Sequence, residues 1–292
     1  MPPDMNKRLS RRTVIRGLGV AASAPLVWSL TGCGADGRSN AGSGNTANDT
    51  ASDTASNLVN STSWLSGGTA SMEATFPPAS DPFESGLGNL CQLTEAFTIG
   101  PCFFDVADER TDISEGEPGV PMALVLKLVD NNCQPIANAQ IEVWWCNAEG
   151  LYSGDNSEAS GNVSNFSRGF CTDNDSAAVA ARWFRGIQTT DNTGNVAFKA
   201  CFPGWYPGRT THIHFRIVID NTQQLVSQFC FEDAVANDIY VNHSDYTGQS
   251  KDTTNSRDNV FSSHGHEDYV FEVEQQWDGS MLAYKAIQVD VN

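Results

Sequence analysis

Thr211-His212-Ile213-His214-Phe215-Arg216-Ile217 reads as a β-strand. Its apolar residues recur every second position, so Ile213, Phe215 and Ile217 share one face and His212 and His214 the other. Two imidazoles on one strand face start roughly 6.6 Å apart and can converge on one ion. The same alternation recurs outward from this stretch. Met122, Leu124, Leu126 and Leu128 show it, as do Ile141, Val143 and Trp145, then Val196, Phe198 and Ala200, and segments 225–231, 269–273 and 282–289. Turn-forming runs separate them: Asp130-Asn131-Asn132, Asp191-Asn192-Thr193-Gly194, Asp220-Asn221 and Asp278-Gly279. Many short strands with regular turns predict an all-β sandwich or barrel. One or two helical turns are expected over 176–183, with Asp173 or Asp175 as N-cap.

Composition narrows the function classes. The chain has 292 residues, with 17 Lys and Arg against 35 Asp and Glu, a formal charge of -18. A basic face is what nucleic acid or an anionic membrane requires, so neither is expected as a partner. Five of the basic residues, Lys7, Arg8, Arg11, Arg12 and Arg16, precede residue 33. An uncharged stretch, 17–30, follows them, which is the order of a secretory signal. Ser10-Arg11-Arg12-Thr13 resembles a twin-arginine signal, and Leu30-Thr31-Gly32-Cys33 resembles a lipobox whose Cys becomes a lipidated N-terminus. No apolar run approaches the ~20 residues of a spanning helix. The expectation is a signal peptide over 1–32, and a protein exported and anchored to the bacterial envelope only through lipid at Cys33. Residues 33–85 are rich in Ser, Thr, Asn, Ala and Gly and read as a flexible tether. Residues 86–292 read as the folded domain. Seven cysteines follow Cys33, so an oxidising compartment makes disulfides expected and leaves at least one thiol without a partner in the chain.

Upstream of the two histidines lies Phe202-Pro203-Gly204-Trp205-Tyr206-Pro207-Gly208-Arg209, whose Pro and Gly residues predict a tight turn that holds Tyr206 near them. The whole stretch 202–215 resembles the signature of the intradiol ring-cleavage dioxygenases. Further segments agree in order: Cys91-Gln92-Leu93-Thr94, then Gly100-Pro101-Cys102-Phe103-Phe104-Asp105, then Arg110-Thr111-Asp112-Ile113. Val143-Trp144-Trp145-Cys146-Asn147-Ala148-Glu149-Gly150-Leu151-Tyr152-Ser153, Trp183-Phe184-Arg185-Gly186 and Thr190-Asp191 follow. The resemblance covers about 91–231. It implies a β-sandwich of mostly antiparallel strands with long loops.

The resemblance also implies a site. The family's ligands to one non-haem Fe(III) fall on Tyr152, Tyr206, His212 and His214. Two phenolates with two imidazoles form a hard, anionic set that suits ferric iron. A free phenol titrates near ~10, so only a strongly Lewis-acidic ion holds two as phenolates. Arg209 falls on the family's active-site arginine, whose fixed charge would stabilise an anionic substrate. Gln228 falls on a polar pocket residue, and Tyr206 doubles as proton acceptor. The implied partners are a catechol-type aromatic and O2, and the implied product is a cis,cis-muconate-type diacid. Cys91 and Cys133 are expected to pair, as in exported members; no pairing is expected in particular for the other cysteines.

Two departures stand out. Cys102-Phe103 replaces a tyrosine pair that lines the substrate pocket in many members, and Trp145 stands where many have His. A second His-X-His run, Ser263-His264-Gly265-His266-Glu267-Asp268, reads as a solvated loop, and His243 is assigned nothing. Two other readings remain open on the residues alone. One is a non-catalytic β-sandwich lipoprotein that binds a metal or other ligand. The other is a Zn or Cu hydrolase on His212 and His214, which leaves both tyrosines unused.

Overall fold

The computed structural model describes residues 63–87, 91–105, 108–155, 168–246 and 248–291. The signal peptide, Cys33 and the tether as far as residue 62 lie outside the described residues. Eight strands form the frame: β1 (Pro121–Val129), β2 (Gln140–Trp144), β3 (Arg185–Thr189), β4 (Asn195–Cys201), β5 (His212–Ile219), β6 (Thr222–Cys230), β7 (Glu272–Gln275) and β8 (Met281–Gln288). They make two four-stranded sheets, ordered β4-β1-β8-β7 and β3-β2-β5-β6. All pairings are antiparallel except β1 with β8. The expected all-β sandwich is therefore the fold.

The alternating residues fill the space between the sheets. Met122, Leu124, Leu126 and Leu128 of β1 meet Ile141, Val143, Ile213, Phe215 and Ile217 of the facing sheet in one buried cluster. Burying each such side chain contributes about 1.5–3 kcal/mol. Strand β3 was not legible, because Arg185-Gly186-Ile187-Gln188-Thr189 lacks apolar alternation. Its place is fixed by antiparallel pairing with β2.

Among the described residues three short α-helices lie outside the sheets: α1 (Arg168–Thr172), α2 (Ser176–Ala180) and α3 (Asp233–Asn242). Asp175 caps α2, accepting the N–H groups of Ala177 and Ala178, as one of the two expected caps. Helix α3 had no clear sequence signal. Tyr240 on it donates its hydroxyl to the carbonyl of Pro203 at 2.9 Å and meets the Thr211 hydroxyl at 2.7 Å. It thereby braces both ends of the Tyr206 turn.

The tether boundary expected at residue 85 is corrected by the structure. Segment 63–87 lies against the sandwich. The N–H of Leu65 donates to Gly279, and Asp278 accepts the N–H groups of Glu73 and Ala74. Phe83 packs with Val125 and Ala286 on the outer face of the first sheet. This cover is why β1 is buried on both faces. Composition missed it because a few apolar residues at irregular spacing, Trp64 and Phe83 among them, do the anchoring. His243 has a related part: its ring meets the Ser66 hydroxyl and the Leu65 carbonyl, both at 3.1 Å.

The disulfide expected between Cys91 and Cys133 is present, and a second joins Cys102 to Cys171. Cys146, Cys201 and Cys230 are buried and take part in no disulfide among the described residues.

Candidate active site

The outer face of the second sheet carries the site. Residues opposite one another on paired strands project to the same face. Arg185 pairs with Trp144, Trp144 with His214, and His214 with Gln228, so one row crosses all four strands. His212 follows two positions before His214 on the same face. Trp144 stacks on the His214 ring, with centroids 5.0 Å apart and planes 11° from parallel.

The two tyrosines arrive on loops that interlock. Tyr152 follows β2, and Tyr206 lies in the Pro/Gly turn between β4 and β5. A side chain at Gly150 would place its Cβ 2.5 Å from the Trp205 carbonyl oxygen, and one at Gly204 would place it 2.1 Å from that of Asn147. Only glycine allows the loops to approach so closely. Tyr152 is pinned further, its N–H donating to the Cys171 carbonyl at 2.8 Å.

Three of the four predicted ligand residues converge on an atom of the fourth. His212 Nε2 lies 3.4 Å from Tyr152 Oη, 3.3 Å from Tyr206 Oη and 3.1 Å from His214 Nε2. His212 Nδ1 lies 2.7 Å from the Thr210 carbonyl, which can only accept, so Nδ1 carries the proton and Nε2 a lone pair. One lone pair does not satisfy three neighbours as hydrogen bonds. A shared cation does: around a first-row ion with bonds of about 2.0–2.2 Å, adjacent ligand atoms stand roughly 2.9–3.5 Å apart. The residues present therefore fit a metal ion. Among the described residues no three His, Cys, Asp or Glu side chains come together for one, so the tyrosines are what complete this set.

Electrostatics agrees. Burial holds His212 well below the usual imidazole range, and Arg209 adds to the effect. Burial, then His212 and Arg209, does the same to His214. Both rings are thus neutral and able to ligate. Burial pushes the phenols up. Tyr152 is raised strongly, with Tyr206 adding to it, while Arg209 counteracts burial more effectively at Tyr206. Neither would ionise near neutral pH without a cation beside it.

Arg209 stands at the edge of the cluster. Its Nε–H donates to Asp258 Oδ2 at 2.9 Å and an Nη2–H to Gln228 Oε1 at 2.5 Å. Gln228 is fully buried, and its amide N–H donates to the Thr98 carbonyl at 2.8 Å. Both ends of Gln228 are thus engaged within the protein, and it orients Arg209.

Cys102, Phe103, Trp144 and Val226 pack with both tyrosines into one wall, with Ile99 against it. Cys102-Phe103 thus borders the site, as expected from its sequence position. Trp145 does not. One residue on from Trp144, it faces the other way, stacks on Phe184 and donates its indole N–H to the Cys201 carbonyl. The departure at Trp145, where many members have His, therefore lies outside the site. Sequence reasoning missed Trp144, Arg185, the Cys102–Cys171 bridge and Asp258. Strand pairing from His214 could have found Trp144; nothing local marks Asp258 among 35 acidic residues.

The second His-X-His run does not assemble a site. His264 Nδ1 pairs with Glu95 at 2.6 Å, and His266 lies near Glu267 at 3.5 Å, so each ring turns to a different acid.

A buried cluster of two imidazoles and two phenols on a β-sandwich face is a donor set that fits a metal ion and uses both tyrosines. Comparison supplies the family. Residues 100–272, more than half of the chain, match the family model described as Dioxygenase. The structure is similar to an intradiol ring-cleavage dioxygenase from Tetranychus urticae, with a TM-score of 0.58 and 27% identity, over 68% of this chain and 95% of that one. A hydroxyquinol 1,2-dioxygenase of Corynebacterium glutamicum is 40% identical over 62 residues; the match spans 20% of this chain and 21% of that enzyme. The chain belongs to the intradiol ring-cleavage dioxygenases.

Proposed function

We propose that the protein is a mononuclear non-haem Fe(III) dioxygenase. It cleaves a catechol-type ring between the two hydroxylated carbons with O2, giving a cis,cis-muconate-type diacid. The observation that carries this reading is the convergence of Tyr152, Tyr206 and His214 on His212 Nε2. Those four residues would hold the ion. When bound, ferric iron supplies a Lewis acid that draws the catechol into its dianionic form and opens it to O2.

The chain's own residues do the rest. Tyr206 accepts a substrate proton at Oη. It is suited to this because its loop is a turn rather than a strand end, and Arg209 favours its ionised form. Tyr152 is anchored through its backbone and stays in place. Arg209 faces the developing negative charge, and Gln228 keeps its guanidinium oriented. The apolar wall of Phe103, Trp144, Val226 and Ile99 seats the ring and excludes water.

Export and anchoring rest on the leader. Arg11-Arg12 before an uncharged stretch and Leu30-Thr31-Gly32-Cys33 support a mature protein that begins at a lipidated Cys33. Membrane fractionation of the Cys33→Ser variant tests it; full processing with undiminished membrane association would contradict it.

The activity is tested by oxygen uptake of iron-loaded protein against catechol, protocatechuate and hydroxyquinol, together with the visible spectrum. Phenolate-to-iron charge transfer is expected to colour the protein, and at least one diol is expected to be consumed with O2. A colourless iron-loaded protein inert to all three refutes the reading.

A further inference from the structure

Asp258 closes the 3-10 turn Asn255–Arg257, on a segment that belongs to neither sheet, and its side chain is fully buried. Its Oδ2 accepts the Arg209 Nε–H at 2.9 Å and the Thr210 N–H at 2.8 Å, while Oδ1 accepts the Val260 N–H at 2.9 Å. An apolar side chain would fill the same space without burying a charge. What the carboxylate adds is direction. On the other side of the guanidinium, Gln228 takes an Nη2–H. Arg209 is therefore held at two of its three nitrogens. Nη1 has no protein partner among the described residues and is the edge left for a ligand.

The same segment reaches His212. Thr210 is clamped at every polar group. Its N–H goes to Asp258, its hydroxyl sits between Lys251 and Asn255, and its carbonyl accepts the His212 Nδ1–H. Lys251 is itself paired with Asp233 at the start of α3. One stretch, 251–258, thus fixes the peptide between the arginine and the first histidine.

We infer that Asp258 is a positioning residue. It sets the Arg209 guanidinium so that its Nη1 edge meets the anionic, ring-opening substrate. This rests on the reading under Proposed function. Partners one step removed from a metal site orient the groups that act there, and their loss costs roughly 10–100-fold in activity or affinity. A misplacement of about 1 Å at such a group is enough.

Two measurements on the full chain test it. In metal-free protein, the Arg209 Nε–H resonance, assigned with Arg209→Lys, is expected to exchange with solvent at least about tenfold more slowly than those of exposed arginines. Asp258→Asn is expected to abolish that protection. In iron-loaded protein, Asp258→Asn is expected to keep the iron and the visible band, hold KM within about threefold and lower kcat about 10–100-fold. In an Arg209→Lys background the same substitution is expected to change kcat by less than about twofold, because the two act as one unit. Fast exchange of Arg209 in the parent overturns the proposal. So does an undiminished kcat in Asp258→Asn or in Asp258→Glu, which shifts the carboxylate by one methylene. So does an equal kcat loss in the Arg209→Lys background. If the parent neither binds iron nor consumes O2, the functional reading fails, and the exchange measurement still decides whether Asp258 holds Arg209.

Discussion

The N–H of Tyr152 donates to the carbonyl of Cys171 at 2.8 Å, and Cys171 is bonded through sulfur to Cys102. The bridge therefore ties together a wall residue of the site and the backbone anchor of one tyrosine. Phe170, next to Cys171, meets the Tyr206 ring edge-on at 6.5 Å. Replacing both Cys102 and Cys171 by Ser is expected to act at two levels. Freeing a loop of 69 residues relaxes the unfolded chain, at a cost to stability of about 4 kcal/mol in the entropy model. The grip on Tyr152 also loosens, so the visible band of the iron-loaded protein is expected to shift. A thermal melt and a spectrum check this. An unchanged melting temperature with an unchanged band would show that the bridge bears on neither.

The two His-X-His runs separate cleanly by variant. His212→Ala and His214→Ala each remove a buried donor from the convergent cluster, and each is expected to abolish iron retention after desalting. His264→Ala and His266→Ala remove rings that pair with surface acids. They are expected to leave iron content and oxygen uptake within about twofold, as surface substitutions usually do. Iron lost from the second pair and kept by the first would move the metal to the 263–268 segment.

How far the sequence carried these conclusions depends on what kind of signal each feature leaves. The strand of His212 and His214 was legible because period two is written directly in its residues. The two tyrosines were reachable only through resemblance: a Tyr in a Pro/Gly turn or after a strand announces nothing alone. Tertiary pairing left no local trace. Gly186 and Gln188 sit in β3 because β2 recruits them, and Asp258 reaches Arg209 across 49 residues of chain. The 63–85 segment was misread because its anchors are few and aperiodic. Composition reports an average, whereas Phe83, with Leu87 beside it, covers one patch of the first sheet.

Asp278 gives that segment a pH dependence. Burial tends to raise its pKa, but hydrogen bonds from Ser280 and from the N–H groups of Ala74 and Glu73 outweigh it, so the carboxyl lies below the usual carboxylate range. The charged form is the one the fold favours. Its contribution is therefore present above an unfolded pKa near ~3.9 and is lost as pH falls through the lower folded value. Asp278→Asn is expected to be less stable than the parent at pH 7, with the difference shrinking as pH falls below the unfolded value of ~3.9. Amide exchange at Glu73 and Ala74 should quicken in the variant at neutral pH. Equal urea midpoints at pH 7 would argue that the contact contributes nothing.

The two tyrosines should not be equivalent, although both phenols lie at about the same distance from His212 Nε2. Tyr152 is 1% exposed, its backbone is tied to Cys171, and the Arg185 guanidinium lies 6.0 Å from its ring. Tyr206 is 8% exposed, sits in a turn, and feels Arg209 more strongly. If one phenol is to take a substrate proton while the other keeps its place, Tyr206 is the one free to do so. Tyr206→Phe is therefore expected to retain most of the iron through Tyr152, His212 and His214, with a shifted visible band. Its kcat is expected to fall roughly 10²–10⁴-fold, the usual loss when a proton acceptor is removed. Tyr152→Phe is expected to disturb the resting iron and its colour more, because no substrate oxygen takes its place. Iron content, resting spectrum and oxygen uptake on the two variants decide the matter. If Tyr152→Phe keeps iron and colour while Tyr206→Phe loses both, the roles are reversed, and the anchored tyrosine rather than the turn tyrosine is the one that moves the proton.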